Sequence, residues 1–393
     1  MKSLLYIIAL SFSSLVMSSE WSGHVALEYR QFTTDALLAE QHDQIVSVSV
    51  QPEWFHEWDA GKQSFTFVPF VRWDQYDDER SHTDIRELTW LKAAEDWELR
   101  AGIRKVFWGV TESQHLVDII NQTDFVENTD GEDKLGQPML NLALIRDWGT
   151  LDLFVLPYFR QRTFPGTEGR LRTTLVVDTD QATYQSDDEE KHVDYALRWQ
   201  HTLGEWDVGV SHFNGTSRDP QFNPGFDSSG NPVLVPYYAL IHQTGLDLQA
   251  TLDEWLWKLE VIRRSGEAES YLATTGGFEY TFYGVMESSA DIGLVMEYLY
   301  DDRGTAATTP FQDDLMLGLR FTLNDEASSE ALIGIIDDQD SDARMLNIEA
   351  SRRFGNHWKL NLEGRWFNHI PANDSLYSLR NDDYIQLELV YYF

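Results

Sequence analysis

The sequence predicts an all-β fold: one transmembrane antiparallel β-barrel of about 18 strands, or about 16 if one hairpin is misread. Apolar residues recur at every second position in many segments, tight turns alternate with long polar connections, and the chain ends in an alternating strand that stops on an aromatic residue. A side-chain period of two is the period of a β-strand. In the last strand one face carries Ile385, Leu387, Leu389, Tyr391 and Phe393.

Other segments show the same alternation over a length that lets a tilted strand cross a bilayer. The clearest of them cover residues 25–29, 46–50, 65–73, 97–103, 140–144, 151–155, 193–199, 257–261, 315–323, 346–350 and 358–366. Only alternate residues of such strands face lipid, so a mean hydropathy of −0.39 is compatible with a membrane barrel.

The connections between these segments alternate between short and long. Tight turns are predicted at 59–62, 94–96, 146–149, 203–205, 253–254, 284–285, 324–326 and 355–357. Longer polar connections are predicted at 33–44, 75–83, 109–138, 160–192, 214–236, 301–313 and 369–382, with short ones near Gly266 and Asp338. This alternation indicates short periplasmic turns and long extracellular loops.

The first residues have the pattern of a cleaved secretory signal. Lys2 precedes a short apolar run over 4–16, which is too short and too interrupted by serine for a membrane helix. We therefore expect a signal peptide over 1–18, export through the inner membrane, and a barrel over 19–393 in the cell outer membrane. A buried N-terminal helix is the alternative.

The composition restricts the partners. The chain has no cysteine, which excludes a disulfide-stapled domain and a thiol nucleophile. A formal net charge of −35 argues against nucleic acid. We expect outer-membrane lipid and lipopolysaccharide as partners, with divalent cations bridging acidic loops, or else solvated acidic loops without a partner. We expect no cofactor and no metal centre.

Two stretches resemble known membrane proteins. A strand that closes on a C-terminal Phe resembles the last strand of Gram-negative outer-membrane β-barrels, which implies that Tyr391 and Phe393 form a signal for the barrel-assembly machinery. Trp108-Gly109, after Gly102 and Arg104 and before an Asp/Asn-rich stretch, resembles a porin-like group of outer-membrane proteins whose function is unsettled. That second resemblance is short and implies no substrate.

Charged residues occupy the positions opposite the apolar ones, and these would face the lumen. The predicted lumen-lining residues are Glu28, Arg30, Arg72, Asp74, Glu98, Arg100, Arg104, Asp194, Arg198, Glu260, Arg264, Arg320, Glu349, Glu363, Arg365 and Glu388. They could create a transverse field that selects polar solutes. They could instead pair across neighbouring strands and stiffen the wall, which we expect for most of them.

The long connection at 109–138 is the segment that could narrow the lumen. Leu116, Ile119 and Ile120 have helical spacing, which predicts a short amphipathic helix. The segment could fold inward as a constriction or remain a surface loop.

Two other polar loops suggest ligands. Arg160, Arg162, Arg170 and Arg172 could meet lipopolysaccharide phosphates, although a solvated hairpin tip is the simpler expectation. The acidic run at 337–342 lacks the Gly and terminal Glu of an EF-hand loop, so we interpret it as a charged turn.

The predicted function is a porin-like channel, monomeric or homotrimeric, for diffusion of small polar solutes across the outer membrane. The alternative is a substrate-specific barrel for lipid or hydrophobic compounds that works with a periplasmic partner. Its motivation is a set of apolar residues with inward parity, which could equally be lipid-facing residues in another register: Phe70, Phe154, Leu156 and Val295.

An outer-membrane hydrolase is less favoured. The sequence contains no Gly-x-Ser-x-Gly elbow. The nearest catalytic pairings are His212 with Asn214 and His115 near Ser113, and neither spacing is specific. We therefore expect no enzymatic activity.

Overall fold

The structure is a computed structural model that describes residues 18–266 and 269–393. Apart from Ser18, the predicted signal peptide lies outside the described residues. Where the chain is described, no helix is long and apolar enough to cross a membrane.

The main sheet has 18 antiparallel strands, and each strand pairs with the next one along the chain. Its strands are β1 (Ser18–Phe32), β2 (Gln44–Trp58), β3 (Gln63–Asp74), β4 (Thr83–Ala93), β5 (Trp97–Arg104), β6 (Gln137–Arg146), β7 (Gly149–Leu156), β9 (Asp194–Leu203), β10 (Trp206–Thr216), β13 (Leu240–Leu252), β14 (Trp255–Ser265), β15 (Tyr271–Phe282), β16 (Asp291–Asp301), β17 (Asp313–Thr322), β18 (Glu330–Asp338), β19 (Arg344–Phe354), β20 (Trp358–Asn368) and β21 (Tyr384–Tyr392). The predicted fold class is confirmed.

A smaller sheet lies in the long connections. It contains β8 (Thr183–Tyr184), β11 (Gln221–Phe226) and β12 (Pro232–Tyr238). Short 3₁₀ helices occur at Thr179–Gln181, Glu189–Lys191, Val285–Glu287, Gly304–Ala306 and Ser375–Leu379.

The barrel closes where the last strand meets the first. Strand β21 pairs with β1 in antiparallel register, with Leu389 opposite Leu27. The Gly23 N–H donates to the Phe393 carbonyl at 3.2 Å, and the Phe393 N–H donates to the Gly23 carbonyl at 3.0 Å. Closure leaves the barrel without a free edge, which is the condition for a sheet in lipid.

The predicted tight turns lie between consecutive strands at one end of the barrel. In the turn from β2 to β3, Asp59 and Ala60 have φ angles of 56° and 54°. Such left-handed residues give hairpin turns whose twist matches that of the strands. The long connections lie at the other end, which is the extracellular end in outer-membrane barrels.

The two faces of the wall differ as a membrane requires. Leu387 and Leu389 on the outer face are 43% and 39% exposed, whereas Val390 on the inner face is 4% exposed. Aromatic rings gather at the ends of the strands, for example Trp255, whose ring lies 4.7 Å from that of Tyr280. The apolar outer face therefore meets lipid, and the charged face meets the lumen.

A candidate channel constriction inside the barrel

The connection between β5 and β6, residues 105–136, folds into the lumen; we call it the inner segment. Its side chains Val117, Ile119 and Ile120 are at most 1% exposed and belong to one core with Phe154 and Leu156 of the wall. Phe154 and Leu156, which the sequence left ambiguous, therefore face inward and pack beneath this segment.

The amphipathic helix predicted around Leu116 is wrong, because these residues form irregular backbone. Wall carboxylates take the N–H groups that a helix would use. Glu260 accepts hydrogen bonds from the N–H groups of Val110 at 2.7 Å, Thr111 at 3.0 Å and Val117 at 3.1 Å. These charge-assisted bonds compete with the helical pattern and hold the segment on β14.

Further along the wall, β16 holds the same stretch. Glu297 accepts hydrogen bonds from the N–H groups of Glu112 at 2.7 Å and Ser113 at 2.8 Å. The Glu112 carboxylate in turn forms an ion pair with Arg320 of β17 at 2.6 Å.

A buried ion network fixes the inner segment to the opposite side of the barrel. Glu127 pairs with Arg72 of β3 at 2.6 Å, and Asp124 pairs with Arg86 of β4 at 2.6 Å. Glu28 of β1 joins this network through Arg72 at 3.1 Å. Because every charge in the network meets an opposite charge, the desolvation cost of burial is offset.

A third attachment lies on β20. Asp130 pairs with Arg365 at 2.7 Å, and Asn128 donates to Glu363 at 3.1 Å. The inner segment thus contacts β3, β4, β14, β16, β17 and β20, and it crosses the lumen rather than lying along one wall.

The space left beside the inner segment is a cavity of about 1040 Å³. Its boundaries are the inner segment, the wall from β14 to β20, and the outer connections. Glu349, whose side chain is 53% exposed, faces this space, and Arg365 and Asp130 lie beside it. Channels select solutes with charged groups that stay in contact with water at a narrow point of the pore.

Comparisons with known proteins concern the fold alone. No protein-family model matches the sequence, and no curated protein matches it. A mutant of Rh. blastica porin matches with a TM-score of 0.47 and 12% identity, over 96% of this chain and 100% of that one. A loop L8 deletion mutant of OmpT, an outer membrane protein of Vibrio cholerae, matches with a TM-score of 0.47 and 9% identity, over 96% and 99% of the two chains.

The chain's own strand pairing and its inward-folded segment define its fold. This chain is a closed antiparallel β-barrel. Its closed 18-strand sheet matches the predicted architecture.

The structure places the sixteen predicted lumen residues in different surroundings. Arg264, Glu349 and Arg365 line the cavity, and Arg320 pairs with the inner segment. Glu28, Arg72 and Glu260 contact the inner segment and are buried. The remaining residues pair within the wall or with outer connections: Arg30 with Gln386, Asp74 with Arg80, Glu98 with Arg100, Arg104 with Asn141, Asp194 with Arg218, Arg198 with Asp247, Glu363 with Tyr384, and Glu388 with Asn361.

The arginines at the start of the 160–192 connection are neither a phosphate site nor a solvated tip. Arg170, with a side chain 1% exposed, pairs with Asp382 and Asp43, each at 2.7 Å. Arg162 pairs with Asp219 at 2.7 Å, and Arg160 pairs with Asp84 at 2.7 Å. Arg172 is held by Glu40 and by backbone carbonyls. These connections fold over the barrel mouth, so their arginines point inward.

The functional residues that the sequence did not reveal belong to the inner segment, above all Glu112, Asp124, Glu127 and Asp130. In the sequence alone, these four residues resemble the acidic residues of a solvated loop. The length of the connection at 109–138 and the resemblance at Trp108 pointed to this stretch, but neither identified these four acidic residues.

One group has the geometry of a metal site. His82, Asp124 and Glu127 place ligand atoms within 4.8 Å of one another. Arg72 and Arg86 already pair with the two carboxylates. Burial favours a lower pKa for His82, but its hydrogen bond to Asp124 and the neighbouring charges outweigh burial and raise the pKa. A cationic imidazole is a poor metal ligand, so the group is best described as an ion network.

His115 and Asp133 of the inner segment have pKa values raised far above their ordinary values. Burial favours a lower pKa for His115, but Glu132 at 2.8 Å and Glu260 at 3.6 Å outweigh it and raise the pKa to about 10. Burial, reinforced by the charges of Glu127 and Asp130, raises the pKa of Asp133 to about 7. His115 is therefore a cation at neutral pH and bridges the inner segment to β14.

The candidate catalytic pairs do not form nucleophile–base contacts. Ser113 Oγ donates to Glu297 at 2.6 Å instead of to His115. His212 and Asn214 are exposed on the outer face, where their partners are Thr244 and His242.

Proposed function

We propose that this porin-like barrel is an outer-membrane channel through which small polar solutes diffuse beside the inner segment. The observation that carries the proposal is the cavity of about 1040 Å³ between that segment and the wall, lined by charged groups such as Arg264, Glu349 and Arg365. The apolar outer face supports a location in the outer membrane, and the N-terminal pattern supports export by a cleaved signal.

The absence of native cysteine makes a direct test available. Glu349→Cys would place a single thiol in the proposed pathway, and a charged thiol reagent added to a planar bilayer should reduce the current through each open channel. Ser229→Cys, in an exposed outer turn, is the matched control, which should react without changing the current.

Two results would refute the channel. One is the lack of steady conductance steps from the folded wild-type barrel. The other is a modified Glu349→Cys barrel that carries the same current as the unmodified one.

A second candidate, transport of solutes with an apolar part, has one specific observation in its favour. The cavity wall includes Phe311, Met316, Leu332, Ile336 and Met345, which pack around a small buried core with Val295. Current blocked by a long-chain carboxylate, together with slow entry of sugars in liposome-swelling assays, would favour this candidate. Free entry of sugars without such block would favour the general channel.

A further inference from the structure

One outward-facing patch on the barrel is polar. It lies at the long-connection ends of β10, β13 and β14, where His212, His242, Thr244 and Arg263 are all exposed. Asn214, also exposed, completes what we call the outer polar patch.

The strand register shows where this patch lies. His212, Thr244 and Arg263 occupy one cross-strand row, which is bounded by Leu197 on β9 and Leu272 on β15. The adjacent row toward the short turns runs through Trp199, Val210, Leu246, Val261, Thr274 and Tyr300. The patch therefore begins where the apolar and aromatic belt ends, at the level of the headgroups of the outer leaflet.

Four polar side chains of the patch contact one another in pairs, and Arg263 is its arginine. His212 Nδ1 lies 3.0 Å from Thr244 Oγ1, and Asn214 Nδ2 lies 2.8 Å from His242 Nδ1. The rings of His212 and His242 are roughly parallel, with centroids 6.5 Å apart. Among the described residues, no group forms a hydrogen bond or an ion pair with the guanidinium of Arg263.

Two other outward charged groups near this end of the barrel have partners. Arg344 pairs with Asp337, and Asp313 accepts a hydrogen bond from Tyr298 at 2.5 Å. An arginine without a partner is unfavourable next to hydrocarbon, and this one lies beside further polar groups. At this level of the membrane, the anionic groups within its reach are those of lipid headgroups.

We propose that the outer polar patch binds the phosphate of a lipid headgroup in the outer leaflet, with Arg263 as its principal contact. A guanidinium binds phosphate through two parallel hydrogen bonds, and imidazole, hydroxyl and amide groups can donate to the remaining oxygens. The proposal rests on the outer-membrane location and is independent of conduction.

The test measures binding of lipid A by native mass spectrometry on the detergent-solubilised barrel. Arg263→Met should weaken binding of bisphosphorylated lipid A by about tenfold, the size expected for one charge-assisted contact. Arg263→Lys should recover part of that loss. Arg352→Met removes an exposed, outward-facing arginine of β19 that lies at the short-turn end of the barrel. This variant should bind lipid A like the wild type.

Removal of both phosphates from lipid A should weaken wild-type binding to the level of Arg263→Met, and conductance should stay unchanged in every variant. Equal affinity of the wild type and Arg263→Met overturns the site, and so does equal affinity for the two forms of lipid A. If Arg263→Met instead splits an oligomer in lipid-free detergent, the patch is a contact between copies and the lipid proposal fails.

Discussion

Glu260 is the residue whose replacement should release the inner segment from the wall. Its side chain is 0% exposed. One oxygen accepts hydrogen bonds from the Val110 N–H and from the N–H and hydroxyl of Thr111, and the other accepts from the Val117 N–H. In Glu260→Gln the amide oxygen can still accept the hydrogen bonds from Val110 and Thr111. The amide nitrogen would then face the Val117 N–H, and it cannot accept a hydrogen bond from that group.

The cost follows from those contacts. Three hydrogen bonds change from charge-assisted to neutral, at about 1 kcal/mol each, and one buried N–H is left unsatisfied, at about 1–3 kcal/mol. Because neighbouring hydrogen bonds are not additive, we expect a total of about 4 kcal/mol. That corresponds to about a thousandfold weaker docking of this part of the segment.

Hydrogen exchange and single-channel recording both report on docking. Exchange protection at the amides of Val110, Thr111 and Val117 should fall by about a thousandfold in Glu260→Gln, and the current should become larger and noisier. Glu388→Gln is the matched control, since Glu388 also faces inward but pairs with Asn361 of the wall. Unchanged protection and unchanged current in Glu260→Gln would refute the idea that wall carboxylates hold the segment.

Three further predictions concern charge, pH and assembly. Glu349→Lys reverses an exposed charge in the cavity, so the reversal potential in a salt gradient should shift toward anions, whereas Asp227→Lys in an exposed outer turn should leave it unchanged. His115 has a pKa of about 10 in the folded protein and a reference value of 6.5, so its contribution to docking is full below pH 6.5 and is lost as the pH rises toward 10. Current noise should therefore increase between pH 7 and pH 10, and this dependence should vanish in His115→Asn. Phe393 is 50% exposed, so Phe393→Ala should refold normally in detergent but reach the outer membrane in smaller amounts, as the heat-modifiable band on gels would show. Equal amounts in the membrane would contradict its role as an assembly signal.

The strands and turns could be predicted because their signals are local. The alternation of apolar and polar residues along β21 shows which of its side chains face lipid. The turn near Asp59 could be predicted from the residues next to it in the chain. The same local alternation shows which strand residues face inward, so residues such as Glu349 could be predicted to face the lumen.

The partners of these residues could not be predicted, because they come from distant parts of the chain. Arg365 pairs with Asp130, and Arg264 pairs with Asp219. The helix expected around Leu116 failed for the same reason. Its spacing was correct for a helix, but carboxylates from β14 and β16 compete for the backbone N–H groups.

The ion pairs between the inner segment and the wall restrict how such a barrel can be altered over evolution or by engineering. Exchange of the segment for a neutral loop from another barrel would remove one counter-charge from each of Arg72, Arg86 and Arg365. Only Glu28, Asp84 and the carboxylates of β19 and β20 would remain to pair with these arginines. Successful grafts should therefore carry matching substitutions in β3, β4 and β20. The inner segment and the wall are therefore best treated as one inherited unit.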